Sequence, residues 1–352
     1  MDFQPTQEQR DLRAGVRELL ARRYGREALR AAVDAGTAVD RELWRELGEA
    51  GFFALRLPEA DGGVGLGLAE AVLVFEEAGR ALLPGPLVAT HLAAGVVPGA
   101  AAGTAVVTAC DLGGPLVAHL GEADAVLGAG GGAARGPAGE PAAEAAAEPA
   151  AEPPAAQPAS ALLLSGEPVP SADPLTPLHR VAAPQDLPDP GPYRDEGALL
   201  TAALQVGSAL RTVELAVRYA GEREQFGQPI GAFQAVKHLC AGMLVRAEVA
   251  RTAVYAAAVA ADATAGRGMT AQVAAEIAGA KLLADEAAVR GARDCLQVHG
   301  GMGFTWEADV HLHLKRAWVR AEQWRTAAQA QEVLAAELLA EAASPEGAGG
   351  HP

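Results

Sequence analysis

The residues best suited to chemistry lie in two glycine-containing turns late in the chain. The first turn, YAGEREQFGQPIGAFQAVKH, holds Arg223, Gln225 and Phe226. A guanidinium can fork onto a pyrophosphate, and a neighbouring aromatic ring can cover an adenine or isoalloxazine face. The alternative is a plain turn between helices, in which Arg223 pairs with Glu222 or Glu224.

The second turn, QVHGGMGFTWEADVHLHLKRA, spans residues 297–317 and contains three glycines and three histidines. Gly300 and Gly301 allow a ligand to approach the backbone, and the helix that follows offers free N–H groups at a positive dipole end. Phosphate binding and a structural turn both stay open on the residues alone. A metal site is disfavoured, because His311 and His313 would point to different faces of a helix and no H-E-x-x-H or C-x-x-C pattern is present. We expect these histidines to face solvent or to be hydrogen-bonded, with no metal bound.

Other motifs give weaker signals. GGVGLG at 62–67 resembles a dinucleotide-binding loop, but the preceding LRLPEAD is a poor strand, so we expect a surface turn before a helix. Nucleophilic catalysis has no G-x-S-x-G motif to support it. We expect Cys110, Cys240 and Cys295 to be reduced, buried thiols of a cytoplasmic protein, since they are odd in number and lack metal-type spacing.

Composition restricts the classes of protein further. The 352 residues suit two or three domains, and a core rich in Ala and Leu favours helices. A formal net charge of −16 argues against a nucleic-acid binder, which needs a basic face. The apolar segment at 87–97 is too short for a membrane helix, which needs ~20 residues. The N-terminal stretch has neither the apolar core nor the basic lead of a signal peptide.

Hydrophobic periodicity and the positions of helix-breaking residues predict the helices and strands that must position the two turns. Short, β-branched and apolar segments between about 100 and 190 predict a small β region, interrupted at 128–160 by an Ala/Pro/Glu/Gly-rich stretch that we expect to be a disordered insertion. N-terminal helices are predicted at 6–23, from Asp40 towards Gly51, and at about 68–82. An antiparallel bundle is predicted from four long helices at 198–222, 233–263, 270–299 and 307–342.

These segments together resemble the acyl-CoA dehydrogenase family, apart from the insertion and the last few residues. The resemblance rests on LWRELGEAGFFALRLPEADGGVGLG and EEAGRALLPGPLVATHLAAG near the N-terminus, and on RYAGEREQFGQPIGAFQAVKH and QVHGGMGFTWEADVHLHLKRA later, in this order. It implies a mainly α fold with a small β domain. The expected parts are an N-terminal helical domain at 1–99, a reduced middle β domain at 100–190, a C-terminal antiparallel four-helix bundle at 191–343 and a frayed tail at 344–352.

The resemblance also implies FAD bound between subunits, usually of a tetramer, and α,β-dehydrogenation of an acyl-CoA thioester. It assigns both turns to the pyrophosphate and adenosine end of the flavin of a neighbouring subunit. The matching residues are Arg223, Gln225 and Phe226 (R-x-Q-F-G), Gln234 (F-Q), and Gln297, Gly300 and Gly301 (Q-x-x-G-G).

This sequence departs from the family pattern at two places. The middle domain of the family carries T-E-P-x-x-G-S-D and K-x-W-I-T stretches that line the flavin ring and the acyl-CoA, and neither occurs between 100 and 190. The usual catalytic carboxylate, in an E-G-T motif seven residues after the alanine matched by Ala317, would fall on Trp324. A subset of the family carries its base near the start of the first bundle helix, where this chain has Glu196.

The resemblance therefore predicts a non-catalytic, β-like dehydrogenase subunit beside a homologous subunit that supplies the base. Fatty or steroid acyl-CoA substrates and an electron-transferring flavoprotein or similar acceptor are implied with it. Two alternatives stay open: a self-sufficient homo-oligomer that uses Glu196 or Glu322 as its base, and a degenerate flavin-free scaffold subunit. Glu322 lies two residues before Trp324, about 200° round a continuous helix, and should face away from the site.

Overall fold

The computed structural model shows helices on both sides of a small β region. This arrangement agrees with the predicted mainly α fold class. Apart from Gly128, the predicted insertion at 128–160 and the predicted frayed tail at 344–352 lie outside the described residues. The structure describes residues 5–36, 39–128, 166–183, 187–264 and 268–343.

In the described ranges up to residue 99, the N-terminal part contains five α-helices: α1 Gln7–Arg23, α2 Arg26–Ala35, α3 Arg41–Glu49, α4 Leu68–Arg80 and α5 Leu87–Leu92. α1 begins with the predicted capping box, in which Thr6 and Gln9 each accept a hydrogen bond from the backbone N–H of the other. The predicted N-cap of α3, Asp40, accepts from the backbone N–H groups of Glu42 and Leu43. α2 and α5 were not predicted. Both are short, and such helices depend on tertiary packing more than on their own sequence.

The glycine loop at 62–67 is a surface turn, as predicted, with Gly65 at φ 72°. The first N–H groups of α4, on Leu68 and Ala69, donate to the carboxylate of Asp262 at 2.8 and 2.9 Å. An acidic side chain of the same chain therefore occupies the helix N-terminus that a phosphate would need.

Among the described residues, the β region contains five short strands: β1 Val107–Ala109, β2 Leu116–Ala118, β3 Ala125–Leu127, β4 Gly166–Val169 and β5 Leu178–Val181. β1 pairs in parallel with β3, and β2, β5 and β4 form an antiparallel sheet in that spatial order. All five fall within the strand-like segments of the sequence.

The C-terminal part contains α6 Arg194–Glu222, α7 Gln234–Ala263, α8 Ala271–His299, α9 Val310–Glu322 and α10 Ala327–Ala343. The first three agree with the predicted helices. The prediction of one fourth helix at 307–342 is wrong, because α9 and α10 are separate. The described C-terminal part therefore contains five helices where the sequence predicts four.

The break between α9 and α10 is centred on Trp324, which has a φ of 62° and a buried side chain. Its backbone N–H donates to the carbonyl oxygen of Asp111, just beyond β1, at 2.7 Å. The stretch at 323–326 contains neither glycine nor proline, so local sequence does not stop the helix. Contact with the β region accompanies the break.

α4 and α6 approach each other so closely that their backbones touch. A Cβ added at Gly79 would lie 2.0 Å from the carbonyl oxygen of Leu204, and one at Gly207 would lie 1.9 Å from that of Glu76. One apolar core therefore runs from the N-terminal helices into the bundle. Within the described ranges, no helix has the length and apolar character to cross a membrane.

Candidate functional site

The structure brings the two predicted turns to the same end of the bundle. A hairpin of β6 Glu224–Gln225 and β7 Gln228–Pro229 follows α6, and a 3₁₀ turn, Gly300–Phe304, follows α8. The ring of Tyr219, near the end of α6, stacks on that of His299, the last residue of α8. Their centroids are 4.2 Å apart and the planes are inclined by 22°.

The hairpin holds its aromatic residue away from the protein. Phe226 and Gly227 form the two-residue loop with φ values of 55° and 78°, the positive angles that a type I′ turn requires. A bulky residue at positive φ is uncommon and carries backbone strain, which concentrates at binding sites. The Phe226 side chain is 92% exposed, and its ring meets that of Phe233 edge-on at 6.0 Å.

The seven residues matched to FAD form one outward-facing set, which we call the turn surface. All seven are exposed. Among the described residues Arg223 has no ion-pair partner, although glutamates flank it on both sides. The alternative in which it pairs with Glu222 or Glu224 is therefore wrong in this structure. The turn surface consists of Arg223, Gln225, Phe226, Gln234, Gln297, Gly300 and Gly301.

The glycines of the 3₁₀ turn differ in what surrounds them. A Cβ at Gly303 would lie 3.0 Å from the carbonyl oxygen of Leu296, so packing within the chain favours glycine there. A Cβ at Gly300 or Gly301 would meet nothing within 4 Å. Gly300 also has a φ of 58°. The open space beside these two glycines permits a ligand to lie against the backbone.

The histidines of this region show no metal-site geometry. His313 is buried and bonds through Nδ1 to the Ser208 hydroxyl at 2.7 Å, and burial lowers its pKa to about 3. His311 is also buried and stacks on Trp306. The described residues contain no cluster of three or more His, Cys, Asp or Glu that could hold a metal ion.

The three cysteines are free thiols. Cys295 is buried, as predicted, whereas Cys110 and Cys240 are half-buried, so the prediction that all three are buried is wrong for these two. Burial raises the pKa of Cys110 and of Cys295 to about 12, which keeps both thiols protonated near neutral pH.

The candidate base Glu196 lies in the first turn of α6 and forms a forked ion pair. Arg56 donates to its two carboxylate oxygens at 2.6 and 3.1 Å. Burial would lower the pKa of Arg56, but the hydrogen bond and charge of Glu196 raise it above the ordinary arginine value. The carboxylate therefore has both oxygens engaged with a group that stays charged.

Trp324, at the position expected for the usual carboxylate, meets the start of α6. A Cβ at Gly197 would lie 2.2 Å from the indole ring, so the ring rests directly on this glycine. The two positions that the resemblance assigns to a base therefore converge in space. Glu322 is exposed at the end of α9. It faces outward as predicted, although the helix ends there and does not continue to Trp324.

Beside Trp324 the β region meets the bundle in a contact that we call the domain junction, made by residues around Thr108, Thr201, Arg316, Arg320 and Trp324. The cavity there measures only about 30 Å³. Pockets that enclose organic ligands measure roughly 300–1,000 Å³. The junction is therefore filled by the chain's own side chains.

Charged groups within the junction are buried, and Arg316 among them is paired. Arg316 forms an ion pair with Asp173; burial opposes ionisation of this carboxyl, but the charge and hydrogen bond of Arg316 lower its pKa. Arg320 is also buried, donates to the carbonyl oxygen of Leu204 at 3.4 Å, and has a pKa well below the ordinary value because of burial and of Arg316. Burial raises the pKa of Asp111 to about 7.

Sequence reasoning missed Arg56 and the junction charges. A signal for Arg56 exists, because it is the lone charge in the apolar run FFALRLP. An isolated charge among apolar residues is rarely buried without a partner. The identity of that partner, 140 residues away, has no local signal.

Comparison with known proteins shows which family the chain resembles. Residues 6–109 match the N-terminal domain and residues 195–343 the C-terminal domain of acyl-CoA dehydrogenase. Acyl-CoA dehydrogenase IpdE2 of Mycobacterium tuberculosis is 36% identical over 327 residues, which cover 89% of this chain and 92% of the relative.

Solved structures share the fold at low sequence identity. Butyryl-CoA dehydrogenase from Megasphaera elsdenii aligns with a TM-score of 0.75 at 20% identity, covering 96% of this chain and all of that one. A chain of the ChsE4–ChsE5 complex from Mycobacterium tuberculosis aligns with a TM-score of 0.73 at 23% identity, covering 98% of this chain and all of that one. The matches confirm the predicted fold class, the predicted oxidoreductase class acting on CH–CH groups, and FAD as the cofactor.

Proposed function

The chain belongs to the acyl-CoA dehydrogenase family, and from that premise we propose that it is a dehydrogenase subunit which helps to hold FAD but does not supply the catalytic base. A homologous partner subunit would provide the carboxylate. The observation that carries this proposal is Trp324: an indole, buried and off the helix, occupies the position expected for the usual carboxylate.

The turn surface fits the pyrophosphate and adenosine end of FAD. Arg223 is exposed and free of ion pairs among the described residues, so its fork is available to a pyrophosphate. Open space adjoins Gly300 and Gly301, where a phosphate can approach the backbone. Since these groups all face outward, the flavin they hold would be shared with another subunit.

The domain junction does not fit the other end of the cofactor. A cavity of about 30 Å³ has no room for an isoalloxazine ring, and the buried Trp324 would have to move before one could enter. Two stretches that line the ring in the family are also absent from the sequence between 100 and 190. We therefore propose that the ring lies in the partner's own junction.

The reaction requires a base for the α-proton of the acyl thioester, while FAD, when bound, accepts the hydride from the β-carbon. Trp324 cannot take a proton, since its indole N–H is only a donor. Glu322 is exposed at the last residue of α9. Glu196 lies near Trp324, but both of its oxygens are engaged by Arg56, which disfavours proton uptake from carbon.

Related chains support the partner model and the substrate class. One structural neighbour is a chain of a two-component complex, ChsE4–ChsE5. Another carries the description "steroid ACAD", with a TM-score of 0.73 at 24% identity. We propose a heterotetramer in the cytoplasm that acts on a fatty or steroid acyl-CoA and passes its electrons to an electron-transferring flavoprotein or similar acceptor.

The self-sufficient enzyme is the second candidate, because Glu196 and Trp324 adjoin through Gly197. The test is to express the chain alone and together with a homologous subunit that bears the glutamate, and to load both with FAD. Flavin bleaching is then followed over a panel of saturated acyl-CoA thioesters. We expect bleaching only in the complex, insensitive to Glu196→Gln and Glu322→Gln in this chain.

Turnover by the lone chain that Glu196→Gln abolishes and Glu322→Gln leaves intact would contradict the partner model and identify the base. A complex that contains no flavin would contradict both enzyme models. It would instead indicate the scaffold subunit.

A further inference from the structure

A second cavity, separate from the turn surface and the domain junction, opens between α1, α4, α6 and α9. It measures about 330 Å³. We call it the arginine cleft, because five arginines line it against two carboxylates, Glu77 and Asp309. In a chain with a net charge of −16, this local excess of positive charge is unusual. The five arginines are Arg17, Arg26, Arg80, Arg211 and Arg218.

The carboxylates of the cleft are shared among several guanidinium groups. Glu77 accepts a fork from Arg17 at 2.7 and 2.8 Å, and it also contacts Arg13 at 3.2 Å and Arg80 at 3.5 Å. Asp309, which pairs with Arg26 at 2.6 Å, pairs equally closely with Arg30. Arg80 and Arg211 share one further carboxylate, that of Glu214. The arginines still outnumber the carboxylates, so ion pairs within the chain leave an excess of positive charge in and around the cleft.

Unused hydrogen-bond donors are concentrated on α6. Arg211 donates once, to Glu214 at 3.1 Å, and Arg218 is exposed with no ion pair among the described residues. The two arginines are seven residues apart and so share one helix face, separated by ~10 Å. Leu215 lies between them and lines the cleft too. This face therefore presents one cationic group on each side of an aliphatic side chain.

The remaining wall of the cleft is apolar and uncharged. α1 contributes Leu20 and Ala21, and Leu29 and Leu82 line the cleft from neighbouring segments. His313 also lines it, but burial lowers the pKa of this histidine to about 3, so the ring is neutral near pH 7. A small inorganic anion would leave these aliphatic side chains without contacts. A neutral apolar molecule would leave the arginine donors unused.

We propose that the arginine cleft binds an amphipathic organic anion, with a short aliphatic or alicyclic body that ends in one carboxylate or phosphate. The oxyanion would be held by Arg218 and Arg211, and the body would pack on the aliphatic wall. At roughly 30 Å³ per heavy atom, the share of a water molecule in the liquid, the cleft holds on the order of ten non-hydrogen atoms. Octanoate is a probe of this size. The binding is independent of the proposed flavin site, since the two share no residue.

The test is calorimetric titration of the full chain with octanoate, octyl phosphate, octanol and inorganic phosphate. Three variants are compared with the unchanged protein. Arg218→Glu reverses an unpaired charge in the cleft, and Ala21→Trp fills the cleft without changing charge. Arg22→Glu is the matched control, because Arg22 is exposed on α1, has no ion pair among the described residues and does not line the cleft.

We expect saturable octanoate or octyl phosphate binding, weakened at least ~10-fold by Arg218→Glu and by Ala21→Trp but not by Arg22→Glu. The tighter of the two probes identifies the headgroup. Octanol and inorganic phosphate should bind at least ~10-fold more weakly than the better probe. No saturable binding, or binding unchanged in both cleft variants, would overturn the proposal. Inorganic phosphate as tight as octanoate would overturn the amphipathic ligand.

Discussion

The turn surface and the domain junction face opposite ends of the same expected cofactor, yet they are constructed in opposite ways. On the turn surface, seven polar, aromatic and glycine positions are exposed, and Arg223 is unpaired among the described residues. At the junction, Trp324 is 2% exposed, Arg316 is paired with Asp173, and the cavity is about 30 Å³. One region leaves its binding groups available, and the other satisfies them internally.

This difference shows how one fold can divide a site between subunits. Groups that face outward need not be held by contacts within the chain, so they can serve a neighbour's cofactor. A ring pocket needs an empty volume at the centre of the domain, and here the side chains leave a cavity of only about 30 Å³.

The largest effect is expected at the junction. Trp324→Ala removes a buried indole that rests on Gly197, and large-to-small changes of this kind lower the free energy of unfolding by ~3–5 kcal/mol. Urea unfolding measures the change. Trp306→Ala is the matched control beside the turn surface, where the side chain is 51% exposed, and it should cost about 1 kcal/mol or less. Equal losses in the two variants would show that the junction is not tightly packed.

A second effect concerns pH. Burial lowers the pKa of His313 to about 3, below its ordinary value, so folding favours the neutral ring. The unfolded chain binds the proton more readily, and the resulting stability is present above about pH 6.5 and lost as pH falls towards 3. His313→Gln removes this titration. The stability difference between the unchanged protein and the variant should therefore shrink by a few kcal/mol between about pH 7 and pH 4, and a constant difference would show that His313 is not held neutral.

A pair of glycine substitutions compares the two regions directly. A Cβ at Gly197 meets the indole of Trp324 at 2.2 Å, so Gly197→Ala should lower the free energy of unfolding by ~1–3 kcal/mol. A Cβ at Gly301 meets nothing within 4 Å, so Gly301→Ala should change it by no more than ~0.5 kcal/mol, while reducing flavin retention by the assembled complex. Melting curves and flavin absorbance measure the two quantities. If Gly301→Ala lowered the stability but left flavin retention unchanged, Gly301 would serve packing and not flavin binding, contrary to the proposal.

The same two regions differ in how far their sequence predicts them. Each of the two turns that form the turn surface is a short stretch of the chain, and α6–α8 follow from Ala- and Leu-rich composition and from caps such as Thr270. Its seven residues were named from the sequence, and their role in holding FAD stays a proposal. The junction depends on contacts distant in sequence, such as Trp324 with Asp111. The stretch at 323–326 contains no helix breaker, so the sequence predicts one continuous helix where the structure has α9 and α10.

The central claim is that this chain holds a flavin it does not itself enclose, and Arg223 tests it most directly. The measurement is the FAD dissociation constant of the complex with the homologous subunit, with Arg223→Lys in this chain alone and Arg22→Lys as the matched control. Lysine keeps the charge but loses the forked pair of donors, so we predict that Arg223→Lys weakens FAD affinity at least ~10-fold. The melting temperature of the flavin-free complex should not change, and Arg22→Lys should leave FAD affinity unchanged. Equal FAD affinity in the Arg223→Lys complex and the unchanged complex would contradict the account.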